Sequence, residues 1–245
     1  GLLHSQIRIA IRDGQQIVRK PDTFEQFLKS VWLPVVVASE KLKPTTIFYY
    51  QYITKFLVEG LGKKTLSDLQ GGDFTRLYAT LAKAGRSRSL CRGVHTTAHK
   101  ALNYAMREGL ITWNPVSRAD APPTPKGNPK AWSDEDMRKI FEIADADRFW
   151  AAWRLLAATG LRRGELCGLK WQDISETHLL VNRTRLVVDS KIIDGTPKTA
   201  KSRRQVPLNK IAQDTLKVWK IAQHEELAQI PTSNSAGWIF TNQIG

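Results

Sequence analysis

An arginine placed directly after a glycine is the first feature of this sequence that could do chemistry. Arg162 stands in the run Ala158-Thr159-Gly160-Leu161-Arg162-Arg163-Gly164-Glu165-Leu166. The apolar run 149–158 predicts a buried helix that ends at Gly160, so we expect Arg162 in the first turn of the next helix. Backbone N–H groups and the helix dipole favour a bound phosphate there. A structural ion pair with Glu165 is the alternative, and the spacing alone leaves both open.

A second basic segment follows in a region rich in β-branched residues. It reads Pro197-Lys198-Thr199-Ala200-Lys201-Ser202-Arg203-Arg204. We expect it at or next to a hairpin turn, because 179–188 and 203–208 are strand-like and Asp194-Gly195 offers a tight turn. A lysine there can reach a small target while its stem packs on the sheet. Considered alone, an ordinary charged turn is the simpler interpretation.

The fourth predicted helix, 87–108, carries polar side chains opposite an apolar face. At about 100° per residue, the apolar face comprises Leu90, Val94, Ala98, Ala101 and Ala105. The opposite face comprises Arg88, Arg92, His95, His99 and Asn103. Such a stripe of donors fits the major groove of DNA. A solvated polar face is the alternative, but the lack of any acidic residue before Glu108 favours nucleic acid.

The start of the second predicted helix offers further phosphate contacts, because helix N-termini attract anions. With the residues of the fourth helix and of the basic segment, the candidate DNA-binding residues are Lys43, Thr45, Arg86, Arg88, Arg92, His95, His99 and Lys201.

The overall charge agrees with a polyanionic partner. The 245 residues include 37 Lys and Arg against 23 Asp and Glu, for a net charge of +14. Such a protein most often binds nucleic acid, although an evenly spread solubility charge is the alternative. No apolar run is long enough to cross a bilayer and the first residues lack a signal peptide, so we expect a cytoplasmic protein. Cys91 and Cys167 fit reduced thiols, and no metal-ligand spacing occurs, which favours a mechanism without metal.

Prolines divide the chain into two predicted domains. Five of them lie between Pro115 and Pro129, which indicates a semi-rigid linker over 115–130. Before the linker, a mainly α helical bundle is expected over 23–114. Its four predicted helices cover 23–37, 45–58, 73–84 and 87–108, with Gly60 and Gly85 as helix ends.

After the linker, the pattern predicts an α+β domain with a small antiparallel sheet over 131–245. A capping box at Ser133 opens its first helix, and 238–240 is strand-like. We expect residues 1–22 to connect this chain to an upstream domain.

Together these segments resemble the tyrosine recombinases, the phage integrase family. The resemblance is carried in order by the run around Arg162, by Leu169-Lys170-Trp171-Gln172-Asp173-Ile174, and by Pro197 to Leu208. It covers about 23–245, and it implies a core-binding domain over 23–114 and the N-terminal part of the catalytic domain over 131–245. In this family the two domains close around duplex DNA.

The resemblance also implies a mechanism without cofactors. Arg162 would hold the non-bridging oxygens of the scissile phosphate, and Lys198 would protonate the leaving 5′-hydroxyl, with Lys201 as its alternative. The family's tyrosine attacks the phosphorus and forms a 3′-phosphotyrosyl intermediate. The implied partners are double-stranded DNA and, for the full-length protein, three further copies in a homotetramer, with no membrane.

The sequence departs from the family after the lysine segment. The family's His-x-x-Arg box, third histidine or tryptophan, and tyrosine follow that segment, whereas here only His224 follows it. The five tyrosines all precede Arg162; they are Tyr49, Tyr50, Tyr52, Tyr78 and Tyr104. We therefore expect a piece of a longer integrase that binds DNA without cleaving it. A non-catalytic DNA-binding or regulatory derivative of an integrase is the alternative, and a type IB topoisomerase is a third.

Overall fold

A computed structural model describes residues 23–124, 127, 131–195, 203–230 and 236–242 of the chain. The chain divides between Asn128 and Pro129 into two compact units. In the described residues the first unit is helical, and the second combines helices with two small antiparallel sheets. This is the fold class that the sequence predicts.

Within residues 23–124, four helices form the first unit, as predicted. Helix α1 begins as Phe24–Gln26, continues as a π-helical segment, Phe27–Trp32, and ends with Leu33–Val37. The others are α2 (Pro44–Leu61), α3 (Gly71–Lys83) and α4 (Arg88–Arg107). Their packed faces bury a core whose largest fully covered side chains are Phe24, Phe27, Leu28, Ile53, Leu57, Phe74 and Leu102. Each such side chain contributes roughly 1.5–3 kcal/mol relative to an exposed one.

The two glycines expected to end helices behave differently. Gly60 does not end α2, which continues to Leu61; a Cβ at Gly60 would lie 2.4 Å from Leu77 Cδ1, so this glycine permits close packing against α3. Gly85 does follow the end of α3, with a φ of +73° in the left-handed region that glycine adopts without steric cost.

The first residues of the predicted linker pack on the helical unit. Pro115–Arg118 form a 3₁₀ turn, and the Asn114 side-chain oxygen accepts a hydrogen bond from the Val116 N–H (3.0 Å). Val116 is 1% exposed and belongs to the core of this unit. The expectation of an extended linker from Pro115 is therefore corrected: burial of Val116 outweighs the extended preference of the prolines nearby.

The second unit contains four helices in its described part. They are α5 (Asp134–Ala144), α6 (Trp150–Thr159), the short α7 (Arg163–Cys167) and α8 (Lys210–Ala228). The predicted capping box opens α5: the Ser133 N–H donates to Asp136 Oδ2 (3.0 Å), and Ser133 Oγ accepts from the Asp136 N–H (3.1 Å).

Among the described residues of this unit, four strands pair in two antiparallel sheets. Strand β1 (His178–Val181) pairs with β4 (Arg204–Pro207), and β2 (Thr184–Val188) pairs with β3 (Lys191–Gly195). The single strand expected over 179–188 is thus two strands that belong to different sheets.

Two further expectations about this region are wrong. Asp194 and Gly195 lie inside β3, opposite Arg185 and Thr184, and the turn falls instead at Asp189-Ser190. These two residues have positive φ values of 50° and 60°, which aspartate tolerates better than most residues. The segment 238–240 is not a strand, because it contributes only an isolated bridge between Trp238 and Lys170.

The second unit has its own apolar core. Leu155, Leu169, Leu179 and Ile239 are fully or almost fully buried there. The indole of Trp219 on α8 donates to the Ile239 carbonyl (2.7 Å), which fastens the segment 236–242 to that helix. In the part of the chain that the structure describes, no helix is long and apolar enough to cross a membrane.

Candidate active site

Arg162 lies at the junction between α6 and α7. Gly160 caps α6 in the left-handed region (φ 62°, ψ 24°), and its N–H donates to the Leu156 carbonyl (2.9 Å), as the sequence predicts. Buried Leu161 then anchors the chain. Arg162 is the residue immediately before α7, with extended backbone (φ −75°, ψ 149°), rather than a residue of its first turn. Its side chain is 75% exposed.

The carboxylate of Glu165 organises this junction. Its side chain is 2% exposed, and it accepts hydrogen bonds from the Arg162 backbone N–H (Oε2, 3.0 Å) and from Arg162 Nη1 (Oε1, 3.0 Å). Arg204 completes the group through Nη1 to Oε1 (3.0 Å) and Nη2 to Oε2 (2.9 Å). The hydrogen bonds from Arg204 are the largest cause that lowers the Glu165 pKa to about 2, against burial, which would raise it; the bonds from Arg162 lower it further.

The ion pair that the sequence offered as an alternative therefore exists, but it does not compete with a phosphate contact. A guanidinium carries five N–H donors in a planar fork. The pair with Glu165 uses Nη1 of Arg162, while most of the side chain remains exposed. Glu165 can thus orient Arg162 while Arg162 presents its other donors to an anion.

The sequence does not predict a role for Arg204 at this site. It begins β4, where it pairs with Val181, and its side chain is 31% exposed. The available signal was its place at the end of the basic segment, in a strand whose alternate residue Val206 is buried. Because Arg204 and Val206 are two residues apart, strand alternation places both side chains on the same face of β4. Alternation does not indicate which residue Arg204 contacts, so it could not predict the pair with Glu165.

The lysines assigned to the same site cannot be placed beside it. Lys198 and Lys201 lie outside the described residues, between the end of β3 at Gly195 and the start of β4 at Arg204. Their roles remain predictions.

The polar stripe on α4 is largely occupied by contacts within the first unit. Arg92 Nη1 donates to the Pro122 carbonyl (3.2 Å), His95 Nδ1 lies 3.2 Å from the Tyr78 hydroxyl, and His99 Nε2 lies 3.3 Å from Ser117 Oγ. The stripe therefore faces α3 and the segment 114–122. These three side chains are half-buried rather than fully open to solvent, and their contacts with DNA stay predictions.

Asn114 links the far end of the stripe to the 3₁₀ turn. Its amide donates to Asn103 Oδ1 (2.7 Å) and to the His99 carbonyl (2.9 Å), while Asn114 itself is 5% exposed. Burial, then the neighbouring Arg92 and His99, lower the pKa of His95. The lower pKa favours the neutral form of the imidazole.

The remaining candidates lie on the surface. Arg86 and Arg88 are exposed just before and at the start of α4, and the Arg86 guanidinium stacks over the Phe56 ring at 5.5 Å. Lys43 and Thr45 are exposed at the start of α2, on either side of Pro44. Within the described ranges, no group of three or more His, Cys, Asp or Glu side chains could hold a metal ion.

The chain is similar in fold to solved structures. The fold is similar to that of the Tn1549 transposon integrase in complex with a circular intermediate DNA, with a TM-score of 0.73 and 17% identity over 92% of this chain and 73% of that one. This likeness shows the fold that the two chains share.

The sequence comparisons give the family. Residues 132–244 match the phage integrase family. The chain is 29% identical to a XerC-like tyrosine recombinase of Caldanaerobacter subterraneus, over 96% of this chain and 66% of the relative. It is 28% identical to the ICEBs1 integrase of Bacillus subtilis, over 72% of this chain and 50% of the relative. Residues 132–244 therefore belong to the phage integrase family, and the chain is similar to tyrosine recombinases over most of its length. It spans about half to two thirds of the length of these two relatives.

Proposed function

We propose that this chain is the core-binding domain and part of the catalytic domain of an enzyme of site-specific DNA recombination. One observation carries the proposal: Arg162, at the family's arginine position, is held by buried Glu165 while its side chain stays 75% exposed. A fixed guanidinium at the protein surface suits a phosphate that changes its charge during reaction, because preorganised donors need no reorganisation.

In the proposed reaction, DNA is cleaved and rejoined without metal. Arg162 binds the non-bridging oxygens of the scissile phosphate, and Lys198, with Lys201 as its alternative, protonates the leaving 5′-hydroxyl. A tyrosine attacks the phosphorus, so that the 3′-phosphotyrosyl bond conserves the energy needed for rejoining. Since all five tyrosines of this sequence precede Arg162, residues 1–245 should bind DNA without cleaving it.

DNA binding is assigned first to the helical unit. Residues 23–124 contain 14 Lys and Arg against 7 Asp and Glu. We assign phosphate contacts to the exposed candidates Lys43, Thr45, Arg86 and Arg88. The half-buried Arg92 and His99 contact the segment 114–122, and His95 contacts Tyr78 of α3. The full-length enzyme would act as a homotetramer on double-stranded DNA in the cytoplasm.

A suicide-substrate assay on the full-length gene product tests the function. The substrate is a duplex of the recombination site, nicked so that the released strand diffuses away and the covalent protein–DNA adduct accumulates. We expect an adduct from the wild type and none from Arg162→Ala, with DNA affinity almost unchanged. Arg163→Ala, an exposed arginine of the same short helix, is the matched control and should still form the adduct.

Two results would contradict the assignment. Cleavage by Arg162→Ala would show that this arginine does not bind the scissile phosphate. A full-length wild type that binds DNA but never forms an adduct would favour the other reading of the sequence, a non-catalytic DNA-binding or regulatory protein derived from an integrase.

A further inference from the structure

The buried carboxylate of Glu165 joins two guanidinium groups that lie far apart in the sequence. Arg204, from β4, binds both carboxylate oxygens (3.0 and 2.9 Å), whereas Arg162 reaches one of them through its side chain (3.0 Å). A bidentate arginine–carboxylate pair is geometrically specific as well as strong. The main partner of Glu165 is therefore Arg204, and Arg162 is the secondary one.

The charges of this cluster explain why two arginines are needed. One carboxylate and two guanidiniums leave a net charge of +1. Because Arg204 is 31% and Arg162 is 75% exposed, the excess positive charge lies on the side chain that faces solvent. Without Arg204, the buried carboxylate would be neutralised by Arg162 alone, since leaving a buried charge unpaired is costly. Arg162 would then turn inward and lose the charge it offers to a phosphate.

The position of Arg204 adds a second consequence. Arg204 is the first residue of β4, and the basic segment with Lys198 and Lys201 immediately precedes this strand. The pair with Glu165 therefore ties the start of β4 to α7, the helix that follows Arg162. Glu165 thus binds both Arg162, the residue before α7, and Arg204, the first residue of β4.

We propose that Arg204 is a positioning residue of the recombination reaction. By neutralising Glu165 it keeps the Arg162 guanidinium directed at the scissile phosphate, and it fixes the strand next to the lysine segment. This inference rests on the proposed function, and it adds a residue that touches neither the phosphate nor the nucleophile.

The test compares Arg204→Met with Arg203→Met in the full-length protein. Arg203 is the exposed preceding arginine and serves as the control for lost surface charge. We expect single-turnover formation of the adduct to fall roughly 100-fold in Arg204→Met, the loss typical of misplaced reacting groups. Its affinity for the DNA site should match that of Arg203→Met. Arg204→Lys should be intermediate, because lysine restores the charge but not the bidentate fork.

A substrate with a methylphosphonate at the cleavage position separates positioning from general structural damage. This linkage lacks the negative charge that Arg162 is proposed to stabilise. If Arg204 acts through Arg162, the loss in Arg204→Met should shrink at least tenfold on this substrate. Merely structural damage would slow both substrates by the same factor, and that result would overturn the inference.

The outcomes also separate this inference from the proposed function. A wild type without adduct contradicts the proposed function itself. A wild type that cleaves, with Arg204→Met as fast as Arg203→Met, contradicts only the role of Arg204. If Arg204→Met does not fold, as judged by circular dichroism, Arg204→Lys decides: the inference requires slower cleavage by this variant, with a smaller loss on the methylphosphonate.

Discussion

Two features are predicted from the sequence to bind DNA, the polar stripe of α4 and Arg162, and the structure builds them differently. On α4, Arg92, His95 and His99 lie against neutral groups of their own unit: a carbonyl and two hydroxyls. At the α6–α7 junction, a buried carboxylate holds the inner side of Arg162, and the outer side faces solvent. Of the two arrangements, only the one at the α6–α7 junction holds a charged side chain in place and also leaves it exposed to solvent.

Helical periodicity accounts for part of the structure of α4. Periodicity correctly separated the buried face of α4 from its polar face. It could not show that Arg92 and His99 contact the segment 114–122, because those contacts join residues more than ten positions apart in sequence. A polar face is available to DNA only where no other segment of the chain covers it.

The largest expected effect concerns the acid stability of the second unit. The ordinary pKa of the Glu165 carboxyl, 4.5, is lowered to about 2 in the folded protein, chiefly by Arg204. Ionised Glu165 therefore contributes stability that is fully present above pH 4.5. This stability is lost as the pH falls from 4.5 towards 2, and it amounts to about 3 kcal/mol. Urea unfolding at pH 6 and at pH 3 measures it through tryptophan fluorescence, since six of the eight tryptophans lie after residue 128.

Glu165→Gln is the variant for this measurement, because it keeps the shape of the side chain without its charge. We expect the free energy of unfolding of Glu165→Gln to change less than that of the wild type between these pH values. Glu176→Gln, at an exposed carboxylate of the same unit, controls for acid titration in general. Equal pH dependence in wild type and Glu165→Gln would mean that the cluster stores no electrostatic stability.

The second prediction applies the same reasoning to the uncharged network of α4. Asn114→Ala removes the hydrogen bonds to Asn103, His99 and Val116 from a residue that is 5% exposed. We expect the first unit to lose about 1–3 kcal/mol of stability, since buried partners are left unsatisfied. Thermal unfolding followed by circular dichroism measures the loss, with Ser89→Ala, at an exposed serine of α4, as the control. A variant as stable as this control would show that the network does not hold the segment 114–122.

The sequence was most informative where a single local signal decides the structure. Gly160 ends α6, Ser133 caps α5, and the four helices of the first unit begin and end within a few residues of their predicted positions. It was least informative where a contact is long-range. The Asp194-Gly195 pair is a favourable turn sequence, but its pairing with Thr184 and Arg185 places it in a strand. Likewise, Arg204 meets Glu165 across 39 residues, and no local pattern encodes that pair.

The third prediction separates exposed from covered arginines through the salt dependence of DNA binding. A phosphate contact releases counterions, so each one removed lowers the slope of log affinity against log salt by roughly one unit. We expect this loss from Arg88→Ala, and twice as much when Arg86→Ala is added. Arg92→Ala should leave the slope unchanged, because its guanidinium binds the Pro122 carbonyl. Fluorescence anisotropy with a labelled duplex at several salt concentrations gives the slopes. A lower slope in Arg92→Ala would return the α4 stripe to the DNA interface.

The smallest expected effect is the response of His95 to DNA. Burial, with Arg92 and His99 nearby, lowers the His95 pKa below its ordinary value of 6.5 in the free protein. A histidine that bound a DNA phosphate would be stabilised in its charged form, so its pKa would rise on binding. We expect no such rise, because the His95 ring is held against Tyr78. Titration of the imidazole resonances by NMR, with and without a duplex, measures this difference, and His95→Gln assigns the resonance. An upward shift on binding would mean that a DNA phosphate lies beside His95, and the contrast between the two sites would then hold only for the free protein.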